Sequence, residues 1–161
     1  PQLGESEQSA LQEAVLALAE WYGTAVEFAG EPLTEGLGRA VLRVYPPLAG
    51  GEVNEEGLTF LCTAGEFDML ITGDMASSTE RLLIETYELP DIEVLAVGHH
   101  GSKNSTSAEL LEAVAPEVGV ISVGENNSYG HPAAESLARL REAGADIYRT
   151  DRQGNILIRV H

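Results

Sequence analysis

Positive charge is scarce in this sequence. Nine lysines and arginines stand against 26 acids, a net charge of −17. A broad basic surface for nucleic acid is thereby disfavoured, because phosphate contacts draw on Lys and Arg. A small metal-bearing site stays open to nucleic acid, since bound cations supply local positive charge there. Otherwise the acids make a soluble, self-repelling surface. Cysteine is nearly absent. Cys62, in the apolar run LTFLCT, has no partner for an internal disulfide and reads as a buried core thiol in preference to a nucleophile. No run of about 18 apolar residues occurs, so the chain itself does not span a membrane. No basic segment followed by an apolar stretch marks a signal peptide. There is no internal repeat, low-complexity tract or linker. The first residue is Pro1 and not Met, which points to a processed or excised piece of something longer.

What is present suits one domain. The 161 residues, 43% of them hydrophobic, are enough to bury a real core. Ser6 to Gly23 reads as an amphipathic helix: Leu11, Val15, Leu18 and Ala19 recur at helical spacing, Gly23 suits its stop, and Ser6 and Ser9 are candidate N-caps. Trp21 reads as a packing aromatic. Ala40 to Pro47 alternates like a strand, and the glycines and acids of LAGGEVNEEG mark a loop. Leu58 to Asp74 predicts a hairpin around Ala64-Gly65-Glu66. A helix follows in STERLLIETYEL, with Ser77 or Ser78 as cap and Glu80 near its third position. Then the rhythm becomes βαβαβ. IEVLAVG and VGVISVG are short continuous apolar runs suited to strands buried on both faces, while SAELLEAVAP and AAESLARLREAGA read as helices. DIYRT and NILIRV predict a last hairpin around DRQG. The order is that of a mixed α/β domain.

Three of these strands end in chemistry. MLITGD delivers Asp74, either a metal ligand at a rigid strand end or an N-cap for the next helix. VLAVGHHGSKNST delivers His99 and His100 at the C-terminal end of a buried strand, where ligands gather in open α/β sheets. Neutral imidazole is the commonest nitrogen ligand for Zn, Mn or Fe, and two adjacent histidines leaving a strand point in different directions. Gly101 permits close backbone approach to a ligand. Ser102, Lys103, Asn104, Ser105 and Thr106 offer donors suited to a phosphate, although Thr106 or Ser107 also reads as a helix cap. GENNSYGHP delivers His131, with a polar loop before a helix as its plain alternative. In YRTDRQGN, Arg149, Asp151 and Arg152 read as a turn salt bridge in preference to a substrate contact. The convergence of Asp74, His99/His100 and His131 on one sheet edge is what makes a site of them.

In combination, MLITGD, VGHHGSKNSTS, VISVGENNSYGHP and LREAGADIYRTDRQGNI resemble the C-terminal metallo-β-lactamase-fold domain of the ComEC/Rec2 family of DNA-internalisation (competence) proteins, over roughly residues 57 to 158. The resemblance implies the C-terminal part of an αββα sandwich, a mixed sheet with flanking helices, with residues 1–161 forming a single partial domain. It implies Asp74 as the carboxylate bridging two divalent ions, Mn or Zn, His100 as a metal ligand, and His99 at the substrate phosphate. Ser102, Lys103, Ser105 and His131 match positions near the site, which gives Asp74, His99 and Lys103 catalytic roles and Ser102, Ser105 and His131 substrate-binding roles. The implied activity is a metal-dependent nuclease that degrades the non-transported strand during DNA uptake. Two cations would activate a water and stabilise charge on phosphoryl oxygens. Its implied partners are single-stranded DNA and the rest of a membrane channel. The parent would be a membrane protein carrying this domain at its extracytoplasmic face, and this chain a soluble part of it.

The departure from that pattern is large. The HxHxDH-type ligand motif of the superfamily, or a variant such as HPDADH, is missing, and none of the four histidines precedes residue 99. Two protein ligands hold a catalytic metal poorly. The expectation is therefore that this chain alone binds metal weakly or not at all and is inactive as a nuclease. Two rivals stand beside it: a related phosphodiesterase of the same fold, and a non-catalytic module that grips DNA or a partner.

Overall fold

The computed structural model describes residues 5–49 and 53–160, without the side chains of residues 5–9, 53 and 54, so the Ser6 and Ser9 caps and the middle of the LAGGEVNEEG loop lie outside the described residues. The chain is α/β. After helix α1 (Glu5–Trp21), an antiparallel meander runs through β1 (Leu33–Leu37), β2 (Ala40–Tyr45), β3 (Thr59–Ala64) and β4 (Phe67–Ile71). Three crossovers follow: α2 (Ser77–Thr86) to β5 (Val94–Ala96), α3 (Ala108–Val114) to β6 (Val118–Ile121), and α4 (Ala134–Glu142) to β7 (Asp146–Arg149). β4 to β7 are parallel neighbours, so the sheet is mixed and seven-stranded in the order of the chain.

Right-handed crossovers in one direction place α2, α3 and α4 on one face. The buried cluster agrees: Leu61, Leu70 and Leu95, neighbours in register, pack with Leu83 of α2, Leu110, Leu111 and Val114 of α3 and Leu140 of α4. Gly119 belongs to the same row, and a Cβ there would come within 3.1 Å of Leu140, so the small residue sets how closely α4 approaches. Side chains alternate across a strand. The opposite face therefore carries Leu42, Cys62, Met69 and Val118 in one row and Val44, Phe60, Ile71, Ala96 and Val120 in the next. All nine are only half-buried, while Val94, between Met69 and Val118 in the first row, is buried. Cys62, expected in the core, lies on this open face.

Several local expectations change. α1 forms, but Leu11, Val15 and Leu18 are each more than half exposed, and Trp21 is 84% exposed instead of packed. Helical period predicts an apolar stripe; it does not provide the surface that covers it. α2 is capped neither by Ser77 nor by Ser78. Its N-cap is Ala76, whose N–H donates to the Glu55 carboxylate at 3.0 Å, and Glu55 also takes the Thr79 hydroxyl. The second strand of the expected last hairpin does not form. Residues Thr150–Gln153 make a short helix, α5, pinned because the Thr150 hydroxyl accepts from Val123 N–H and donates to Val123 O, both at 2.8 Å.

Candidate functional site

The parallel neighbours β4, β5 and β6 end at the same edge, and each runs into one of the loops singled out by the sequence. Asp74 follows β4, His99 and His100 follow β5, and His131 closes the loop after β6. Loop and strand are tied at once: His99 N–H donates to the carbonyl of Gly73, the residue before Asp74, at 2.9 Å. The rings of His99 and His131 lie 5.7 Å apart and those of His99 and His100 6.3 Å apart. Burial holds His131 below its ordinary pKa, His99 and His100 push it lower, and Asp74 opposes them, so all four groups share one electrostatic neighbourhood. The Nδ1 of His131 is buried and has no hydrogen-bond partner among the described residues.

The backbone of this loop is strained. His99, His100 and Thr106 have φ of 47°, 55° and 55°, a left-handed conformation that non-glycine residues adopt at a cost of order 1–3 kcal/mol each. The surroundings that impose it are visible. Glu80, with no exposed surface, accepts the Thr106 and Ser107 N–H groups at 2.5 and 2.8 Å. Burial raises its pKa, against the pull of those N–H groups and of Arg139. Arg139 of α4 donates to the carbonyls of Lys103, Ser105 and Thr106 at 3.0, 2.7 and 2.7 Å. The Asn104 carbonyl accepts both the N–H and the hydroxyl of Ser77 at 2.8 Å. The loop is thus clamped from α2 and α4 while Lys103 and Asn104 stay exposed.

Each expected donor has a definite place. Ser105 is fully buried and donates its hydroxyl to the Met75 carbonyl at 2.9 Å, so that hydroxyl is committed inside the fold and does not face a substrate. Ser102 is buried too and accepts the Asn104 N–H at 3.3 Å. Ser107 is the N-cap of α3, accepting from Leu110 N–H, whereas Thr106 takes the Gly98 N–H on its hydroxyl. Gly101, expected to admit a ligand, admits Pro132 instead: a Cβ on it would lie 2.5 Å from the proline Cβ. Glu80, expected in the α2 cap, instead holds the Thr106 and Ser107 N–H groups, and the sequence offered no role for Arg139 or Asn127. Asn127 braces the His131 loop by accepting His131 N–H at 3.0 Å and donating to the Gly124 and His131 carbonyls. For Glu80 a signal existed, since a carboxylate three residues before Leu83 falls in the apolar stripe of α2.

His100 donates from Nδ1 to the Ser122 carbonyl at 2.8 Å, because a carbonyl can only accept. That makes Nδ1 a protonated nitrogen and leaves Nε2 as the ring atom a ligand would meet, as ligating histidines are held. A cavity of about 200 Å³ adjoins it, lined by His100, Val123, Gly124, Asn127, Tyr129 and His131. Even so, among the described residues no three His, Cys, Asp or Glu side chains come together closely enough to hold an ion. A stable catalytic site takes three or more protein ligands. The donors here do not by themselves fit a tightly held metal.

No family model matches the chain. It is similar to three competence proteins: 34% identical over 106 residues to ComE operon protein 3 of Bacillus subtilis, 38% over 103 to competence protein ComA of Neisseria gonorrhoeae, and 35% over 105 to recombination protein 2 of Haemophilus influenzae. These matches cover 63 to 66% of this chain but only 13 to 15% of the relatives, so the chain spans about a seventh of the length of the curated proteins it matches. It is related to one segment of competence proteins.

Proposed function

We propose that this chain is the phosphate-facing part of a metallo-β-lactamase-like hydrolase domain, residues 1–161, within a competence protein, acting on single-stranded DNA during uptake. One observation carries the reading: three successive parallel strands deliver Asp74, His99/His100 and His131 to one shared edge. The apolar, half-open second sheet face supports it as well, since a sandwich would lay another sheet there. Within the site, His99 and exposed Lys103 face the phosphate, and His131, kept neutral, offers a hydrogen bond without charge. Any pair of Mn or Zn ions would draw ligands from outside this chain, where Asp74 and His100 supply only part of the set. The whole protein would be the membrane-associated channel component, with this part at the extracytoplasmic face and cutting the non-transported strand. Among the described residues no helix is long and apolar enough to cross a membrane.

Calorimetric titration of the chain with Mn²⁺ and Zn²⁺ tests this, together with an assay for cleavage of a labelled single strand. The expected result is weak, non-stoichiometric metal binding and no cleavage. Tight one- or two-ion binding would show that the chain is complete by itself. A second reading is a DNA-gripping module without catalysis, favoured by the donor count at the edge. Under it, single-strand affinity is unaffected by either metal.

A further inference from the structure

In a chain with nine basic residues against 26 acids, three arginines line one cavity of about 440 Å³. It runs along the outer side of β7, between the end of α4 and α5, and its lining includes Arg141, Arg149, Arg152, Asp146 and Gln153. Arg149 is already engaged: its Nε and Nη2 donate to the two Asp151 oxygens at 3.0 and 2.6 Å, and these bonds hold the Asp151 carboxyl below its ordinary value. The ion pairs of the described residues are that one and Arg81–Glu109, so neither Arg141 nor Arg152 forms a salt bridge. Both are exposed. Arg152 acts on the Asp151 carboxyl through its charge alone, and neither guanidinium is held in a close carboxylate contact. A planar fork of donors left open in this way matches phosphate oxygens.

The place of the groove decides its ligand. Arg149 is in register with Ile121, so the upper end of the groove lies at the same sheet edge as the histidines. Thr150 ties α5 directly to Val123, at the root of the loop that ends in His131. The groove therefore starts at Arg149 and Arg152, one strand, about 4.8 Å, across from β6, and runs down β7 to Arg141 at the end of α4. We propose that this groove is a second phosphodiester subsite, which takes the backbone of a single DNA strand past the nucleotide held at His99, His100 and His131. The inference rests on the nucleic-acid reading above and extends it from one phosphate to a track.

Fluorescence anisotropy with a labelled twelve-nucleotide single strand and with the dinucleotide pTpT, each titrated over NaCl, tests it on three proteins: the unaltered chain, Arg141→Ala/Arg152→Ala, and His100→Ala. Loss of two phosphate contacts lowers the slope of log K against log salt by about 1.4, at roughly 0.7 per contact on single strands. The expected result is that drop for the twelve-mer in the arginine variant, with pTpT binding unchanged. An unchanged slope in the arginine variant overturns the subsite. If His100→Ala leaves pTpT binding intact, the histidine reading fails while the arginine slope is still read from the twelve-mer. Absence of binding to both ligands overturns both. Flotation with phosphatidylserine vesicles completes the test, and arginine-dependent capture there without a DNA slope change assigns the groove to a membrane and overturns the proposal.

Discussion

Gly101 fixes how the two histidine loops meet. Its φ is +81°, and an added Cβ would sit 2.5 Å from the Pro132 Cβ and 3.1 Å from its Cα. The proline cannot retreat easily, because the next residue, Ala133, donates its N–H to the Gly101 carbonyl at 2.8 Å. Gly101→Ala should therefore cost about 1–3 kcal/mol, through overpacking and a left-handed alanine. A lower urea midpoint with unchanged m-value is the expected reading, and an unmoved midpoint would mean that the loops part freely. Glu80 makes a different kind of claim. Its folded pKa is raised above the ordinary 4.5, burial being the main cause. Between those two values the native state keeps a proton that the unfolded chain has released, so stability falls as pH rises through that window. The unaltered chain should lose stability relative to Glu80→Gln from pH 4.5 upward, which urea melts at several pH values will show. A constant difference would mean that the two N–H donors and Arg139 hold the carboxylate at its ordinary value. The histidines and Asp74 were legible because their residue types announce chemistry. Glu80 and Arg139 were less so, because they bond backbone groups 26 to 36 positions away.

At the scale of elements, periodicity foretold which segments are helical and left open what they touch. α3 agrees with its sequence throughout: Ser107 caps it, and Leu110, Leu111 and Val114 are buried in the core. α1 has the same kind of stripe, yet Leu11 and Leu18 are 55% and 57% exposed. Leu110→Ala should then cost about 2–5 kcal/mol, and Leu18→Ala less than about 0.5 kcal/mol. Chemical denaturation of both variants checks this contrast. A large loss in Leu18→Ala would place α1 against a surface of its own chain. The last segment shows the converse limit. NILIRV alternates as a strand should, but among the described residues its expected partner β7 pairs only with β6. The outer edge of β7 is open, but residues Thr150–Gln153 coil into α5 where a hairpin needs a tight turn, so the pattern alone did not decide the pairing. β1 went unpredicted for a related reason: LTEGL has four exposed residues and is held through backbone pairing to β2, which composition does not record.

For the whole molecule, the balance of surfaces is uneven. One sheet face is sealed by α2, α3 and α4, whereas the other shows nine half-buried apolar side chains and α1 stands with its stripe exposed. Contiguous apolar surface of this sort marks an interaction site. The folded chain is expected to bind anilinonaphthalene sulfonate saturably at neutral pH, despite a net charge of −17 that repels the anionic dye. Fluorescence no higher than that of a sealed globular protein would show the faces covered. The sequence by itself determined the α/β class, the strand ends where chemistry sits and the scarcity of cations, because residue type and period are local properties. Only the tertiary structure decided that Asp74, His99, His100 and His131 share an edge, that Ser105 turns inward, that Pro132 fills the space above Gly101, and that three of nine cations line one groove. Those outcomes depend on register and crossover, which bring together residues tens of positions apart.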